Sequence, residues 1–176
     1  MNKAIWIIAA VFAVTAGITD FRSRRIPNWL TYPAIPLAIA LHALAGGWHG
    51  AILSLAGAAA GLGVLLPFVL LRSLGGGDWK LVGGLCAFFA WGHQLIDLLV
   101  VILLVNAAMA IVVILWKKRL VRTLRNIGRL FAAFFRFHLP GEDLTIDSPQ
   151  ATKVPFGVAA AIGVVLYIAW HWRSGL

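Results

Sequence analysis

The sequence predicts an all-α fold, a polytopic membrane helix bundle of about six transmembrane helices plus one interfacial amphipathic helix. Composition is the first reason: 61% of the 176 residues are hydrophobic, 12% are charged, and mean hydropathy is +0.92. A soluble domain is nearer half apolar and a quarter charged. The second reason is spacing, because apolar runs of bilayer length recur along the chain between glycine, proline and charged punctuation. The third is the distribution of charge, which separates the connecting segments into a basic set and a nearly neutral one.

The expected spans are Ala4–Thr19, Trp29–Ala45, Ala51–Leu71, Leu81–Gly92, Leu95–Trp116 and Val154–Trp172. The first follows Lys3 and could pass for a secretory signal. Its stronger charge cluster (Arg22, Arg24 and Arg25) lies after the run, which favours an uncleaved helix. Pro27 fixes its own backbone angle and favours a helix starting at about Asn28. Gly46-Gly47 and Gly92-His93 mark tight turns between neighbouring spans. Gly57 and Gly61, four apart, form a small-xxx-small pair suited to close helix contact. The fourth span is short and rich in glycine. Between the fifth and sixth, Lys117–Lys153 carries Arg122, Arg125 and Arg129 at helical spacing, with Leu124, Ile127 and Phe131 on another face. That pattern predicts an amphipathic helix over Lys117–Arg136, lying against anionic lipid. No soluble linker divides the chain, so residues 1–176 form one membrane-embedded domain.

Placing the start of the chain outside puts 13 of the 15 Lys and Arg residues on the inner side, leaving Lys3 and Arg173 outside. The net charge of +9 is therefore topological, and a nucleic-acid footprint is not needed to explain it. Seven of the eight tryptophans fall near span ends, where indole rings favour the interface. Cys86 is alone, which excludes disulfide frameworks and four-cysteine zinc sites. His42, His49, His138 and His171 show no ligand spacing, His93 shares a helical face with Asp97 as an interface cap, and no metal or other cofactor is expected.

Chemistry concentrates in two acidic residues. Asp20 closes the first apolar run, and Asp78 follows the third within Gly75-Gly76-Gly77-Asp78-Trp79-Lys80. Two spans lie between them, so both carboxylates reach one membrane face, which the charge count makes the cytoplasmic one. Ionisable groups at such depth are costly and point to function. Two carboxyls that meet resist double ionisation, leaving one as base and the other as acid, the division needed to drive water onto a peptide carbonyl. Gly75 and Gly77 remove side chains beside Asp78 and permit backbone angles closed to other residues, so an extended peptide can lie close to the main chain.

Asp20 with Ile26-Pro27-Asn28, and Gly75, Gly77, Asp78 and Lys80 in the order G-x-G-D-x-K, resemble the two-aspartate signature of the type IV prepilin peptidases. Lys153-Val154-Pro155-Phe156-Gly157 resembles the start of that family's late helix. The resemblance spans nearly the whole chain. It implies a membrane aspartic endopeptidase of the bacterial inner membrane that removes basic leaders from prepilin-like proteins at the cytoplasmic face, for pilus or secretion-system assembly. By carry-over Asp20 and Asp78 are its dyad, and Gly75, Gly77, Lys80, Pro27 and Asn28 shape the site. Larger members carry paired cysteines and also methylate the new N-terminus. This chain lacks those cysteines and resembles the short form of tight-adherence (Flp) pilus systems. Two rivals remain from the residues alone. One is a small transporter or channel component passing cations or protons by Asp20 and Asp78, and the other a non-catalytic assembly subunit working through its basic helix.

Overall fold

The computed structural model describes residues 3–71, 74–116 and 155–174. Among them the chain forms α1 (Lys3–Ser23), α2 (Asn28–Thr31), α3 (Ala34–Leu70), α4 (Gly76–Phe89), α5 (His93–Trp116) and α6 (Phe156–Ser174), and no strand. The expected amphipathic helix over Lys117–Arg136 lies outside the described residues.

Helix α1 buries a stripe running from Ile5 through Ala9, Phe12 and Ala16 to Asp20. Steps of three and four residues keep that stripe on one face. Asp20 therefore belongs to the packed face of the helix rather than to its solvated end. The helix closes at Arg24, whose amide donates to the Asp20 carbonyl at 2.7 Å with φ at 51°. This is a left-handed terminator in which glycine is the usual occupant. Pro27 then precedes α2, extended at φ −72° and ψ 143°, so the helix starts at Asn28 as its ring predicts.

Helix α3 is continuous in hydrogen bonding but bent at Gly46 and Gly47. Gly47, at φ 60° and ψ −152°, occupies a region essentially closed to residues with a Cβ. The bend folds the chain back, bringing the Gly50 Cα against the His42 carbonyl. Two arms result, and α4 lies between them. On the first arm His42 Nε2 meets the Phe88 carbonyl at 2.9 Å, and Ala34 packs at Gly84. On the second, Ser54 Oγ donates to the Ala87 carbonyl at 2.9 Å, and Leu62 packs at Gly83. The first arm runs parallel to α4 and the second antiparallel. Gly57 and Gly61 both face α4, at the Cys86 and Ala90 backbone and at the Cys86 side chain. The small-xxx-small pair thus does what its spacing predicts.

Among the described residues four helices are long and apolar enough to cross a membrane: Lys3–Ser23, Asn28–Leu70, His93–Trp116 and Phe156–Arg173. The expectation of six separate spans differs at two places. The expected second and third spans are the two arms of one bent helix. The expected fourth begins at Gly76 rather than Leu81 and has 14 residues, about 21 Å of helix. Every residue from Leu81 to Ala90 is buried. Trp79 also differs from a simple interface anchor, since its indole N–H donates to the Leu62 carbonyl at 2.7 Å and ties α4 to the second arm.

Helices α1 and α6 pack antiparallel, with Gly17 against Ala161 and Gly157. At one end of the pair the Trp6, Phe89 and Tyr167 rings cluster, with His171 beside them, at centroid separations of 4.3–5.8 Å. The other end carries Asp20. Helix α5 completes the bundle chiefly against α6, where Ile102 fills the space at Gly163.

Candidate active site

Asp20 is the most deeply placed acidic side chain among the described residues, 6% exposed. Its Oδ2 accepts the Gly157 amide at 2.7 Å, and the Val158 amide also hydrogen-bonds to the carboxylate. Both donors belong to the first turn of α6, whose amides have no partner within their own helix. The charge of Arg24 acts on the carboxylate from one turn further along the chain. A Cβ at Gly157 would lie 2.8 Å from the Asp20 Cβ and 3.1 Å from the Ala16 carbonyl. Only glycine lets α6 approach so closely.

Asp78 is half-buried at the third position of α4, after Gly75 at the N-cap. The Gly75 amide hydrogen-bonds back to its carboxylate, one half of a capping box. A Cβ at Gly75 would sit 3.0 Å from Asp78 Oδ2. Burial, and second to it the charge of Asp20, push the Asp78 carboxyl up to about 7, while the Gly75 amide pulls it down. The two carboxyls thus lie within electrostatic reach of each other, although 58 positions separate them in sequence.

The surrounding residues join the two acidic loops. Gly77 faces Ile26, and a Cβ there would be 3.3 Å from both the Ile26 Cβ and its carbonyl oxygen. Lys80 Nζ donates to Asn28 Oδ1 at 3.0 Å and to the Tyr32 hydroxyl at 3.2 Å, and lies 4.5 Å from the Tyr32 ring centroid. Pro27 stands between Ile26 and Asn28 and fixes the turn that presents both. Gly75, Gly77, Lys80, Pro27 and Asn28 are therefore gathered at the end of the bundle that holds Asp20 and Asp78.

The glycines act differently from the expectation. None of Gly75, Gly76 and Gly77 has positive φ. Their use is close approach: Gly75 to the Asp78 carboxylate and Gly77 to the chain's own Ile26. Gly76 alone of the three has open space around it. Arg22 and Arg25 are exposed and outside this cluster. Three contacts escape sequence reasoning: Gly157 on Asp20, Ile26 on Gly77, and Tyr32 under Lys80. The only signals for them were the strings Pro155-Phe156-Gly157 and Ile26-Pro27-Asn28, which mark positions without naming partners.

An ionised carboxylate and a protonated one within electrostatic reach of each other can take a proton from water and give one to a carbonyl oxygen. No curated protein and no solved structure matches the chain. A family match does exist, over residues 7–116, covering both aspartates, the Gly75–Lys80 turn and helices α1 to α5. With most of its length so matched, and with the two acidic loops joined at one end of an all-helical bundle, the chain belongs to the type IV leader peptidase family.

Proposed function

We propose that this protein is an aspartic endopeptidase that cleaves basic leaders from prepilin-like precursors at the cytoplasmic face of a bacterial inner membrane, with Asp20 and Asp78 as its dyad. The observation that carries the reading is the electrostatic contact of two carboxyls drawn from different helices, the second held at about 7. One carboxylate accepts a proton from water, whose oxygen attacks the peptide carbonyl carbon. The other carboxyl gives its proton to the carbonyl oxygen. As the tetrahedral diol collapses and the C–N bond breaks, one of its hydroxyls returns a proton to the second carboxylate, and the amine leaves with the proton first taken from water, so both carboxyls regain their starting states. Gly77, Lys80, Pro27 and Asn28 hold the loops in register, and the Gly75 amide hydrogen-bonds to the Asp78 carboxylate itself.

The cytoplasmic location rests on the 13 basic residues assigned to one side. The absence of paired cysteines from these 176 residues supports precursors of tight-adherence (Flp) pili, and the basic segment over Lys117–Arg136 supports contact with anionic lipid. Co-expression with a precursor bearing a basic leader, a glycine and then an apolar helix tests the activity. The precursor should shift in mobility with the wild-type chain and remain full length with Asp20→Asn or Asp78→Asn. Orientation is tested by thiol labelling in a Cys86→Ala background. Ser23→Cys should react only after the cytoplasmic side is opened and Gly92→Cys from outside, and the reverse pattern would invert the assignment.

A further inference from the structure

Helix α6 lies beyond the matched residues 7–116, yet its first turn donates a 2.7 Å hydrogen bond to the Asp20 carboxylate. We propose that Gly157 is a positioning residue of the active site, whose amide holds Asp20 as the ionised base and leaves the proton of the pair on Asp78. The inference rests on the dyad reading above and adds which carboxyl does which.

Asp20 receives two amides from the open end of a 19-residue helix, Gly157 at 2.7 Å and Val158 beside it. That distance is at the short, charge-assisted end of the N–H···O⁻ range. A helix N-terminus carries about half a positive charge, which favours an anion there. Asp78 receives one amide, from Gly75. Among the described residues the charged groups that face Asp20 are Arg24, just past the end of α1, and Asp78 from α4, while the first turn of α6 presents Phe156, Gly157 and Val158, none of them titratable. Arg24 favours the anion at Asp20, and the anion at Asp20 in turn keeps Asp78 protonated. The Cβ-free position has the same meaning. With any side chain at 157, the carboxylate and the amide could not hold 2.7 Å without one of the two helices moving.

Two substitutions in α6 separate positioning from packing. Gly157→Ala places a methyl 2.8 Å from the Asp20 Cβ, and Gly163→Ala places one 3.0 Å from the Ile102 side chain of α5, further along the helix. Both crowd α6 against a neighbouring helix, and only the first bears on Asp20. Gly157→Ala should lower cleavage at least tenfold and move the acidic limb of the pH–rate profile upward by about one unit, because Asp20 then binds its proton more tightly. Gly163→Ala should leave that limb in place. An unmoved limb in Gly157→Ala would overturn the inference, whatever the rate.

A second measurement needs no variant that crowds the helices. With ¹³Cγ-labelled aspartate in the wild-type chain, the signal missing from Asp20→Asn should titrate at lower pH than the signal missing from Asp78→Asn. The opposite order would overturn the inference. Cleavage retained by the asparagine variants would instead sink the dyad itself, so the two failures are distinguishable.

Discussion

The α1–α6 pair ends in two very different ways. At one end Trp6, Phe89, Tyr167 and His171 stack ring against ring, and at the other Asp20 meets the bare backbone of Gly157. The aromatic end follows the ordinary logic of a bundle, in which large side chains fill space and hold helices together. The aspartate end places an ionisable group and a glycine where an apolar pair would pack better. What that end loses in packing it gains as a fixed carboxylate. Damage to the first end should thus cost stability, and damage to the second should cost chemistry.

The sharpest break of the comparison is removal of either carboxyl. Asp20→Asn and Asp78→Asn should each reduce cleavage by about 10³-fold or more at unchanged insertion, with the double variant hardly worse, because residues acting as a unit are non-additive. Gel-shift assays at matched protein amounts check this, and substantial cleavage by either single variant refutes the pair. Next comes Gly77→Val, expected to lower activity by about 10²-fold by pushing Ile26 and its loop off α4. Gly46→Val, where no atom lies within 4 Å of the added carbon, should change the rate less than twofold.

Solution pH sharpens the contrast further. Asp78 must hold its proton to act as the acid, and its carboxyl is raised to about 7. Cleavage should therefore be sustained below that value and fall about tenfold per unit above it. A rate that climbs steadily between pH 7 and 9 would contradict the acid role. The smallest effect on chemistry belongs to the aromatic end. Trp6→Ala should cost about 3 kcal/mol of stability through lost ring packing. The protein that remains folded should cleave within twofold of wild type, as thermal denaturation and assay of one preparation would show.

Much of this was legible along the chain. Asp20 and Asp78 stand out because acidic residues are rare in so apolar a sequence, and the helix start at Asn28 follows from the proline ring. The reversal at Gly46-Gly47 and the close contact of Gly57 and Gly61 with α4 also follow from residue type and spacing. Helix α4 departs from the expected Leu81–Gly92 span because its apolar run starts at Leu81, whereas the helix itself starts at Gly76. The Gly75 N-cap with Asp78 three residues on was the readable clue. The Gly157 contact could not be read, since 137 positions separate it from Asp20 and no local periodicity links a helix's first turn to a distant carboxylate. Trp79 misled for a related reason: an indole near a span end fits the interface and an internal carbonyl equally well.

The enclosure of α4 has a consequence for biogenesis. A helix of 14 residues is too short to cross about 30 Å of hydrocarbon and has little reason to leave the translocation machinery for lipid unaided. Its ten buried residues from Leu81 to Ala90 gain their surroundings only once the two arms of α3 are present to receive them. The nascent chain would thus deliver its second aspartate late, by docking onto a hairpin already resident in the bilayer. An incompletely synthesised or wrongly inserted copy would hold Asp20 alone, and the two carboxyls would meet only in a protein that has finished folding.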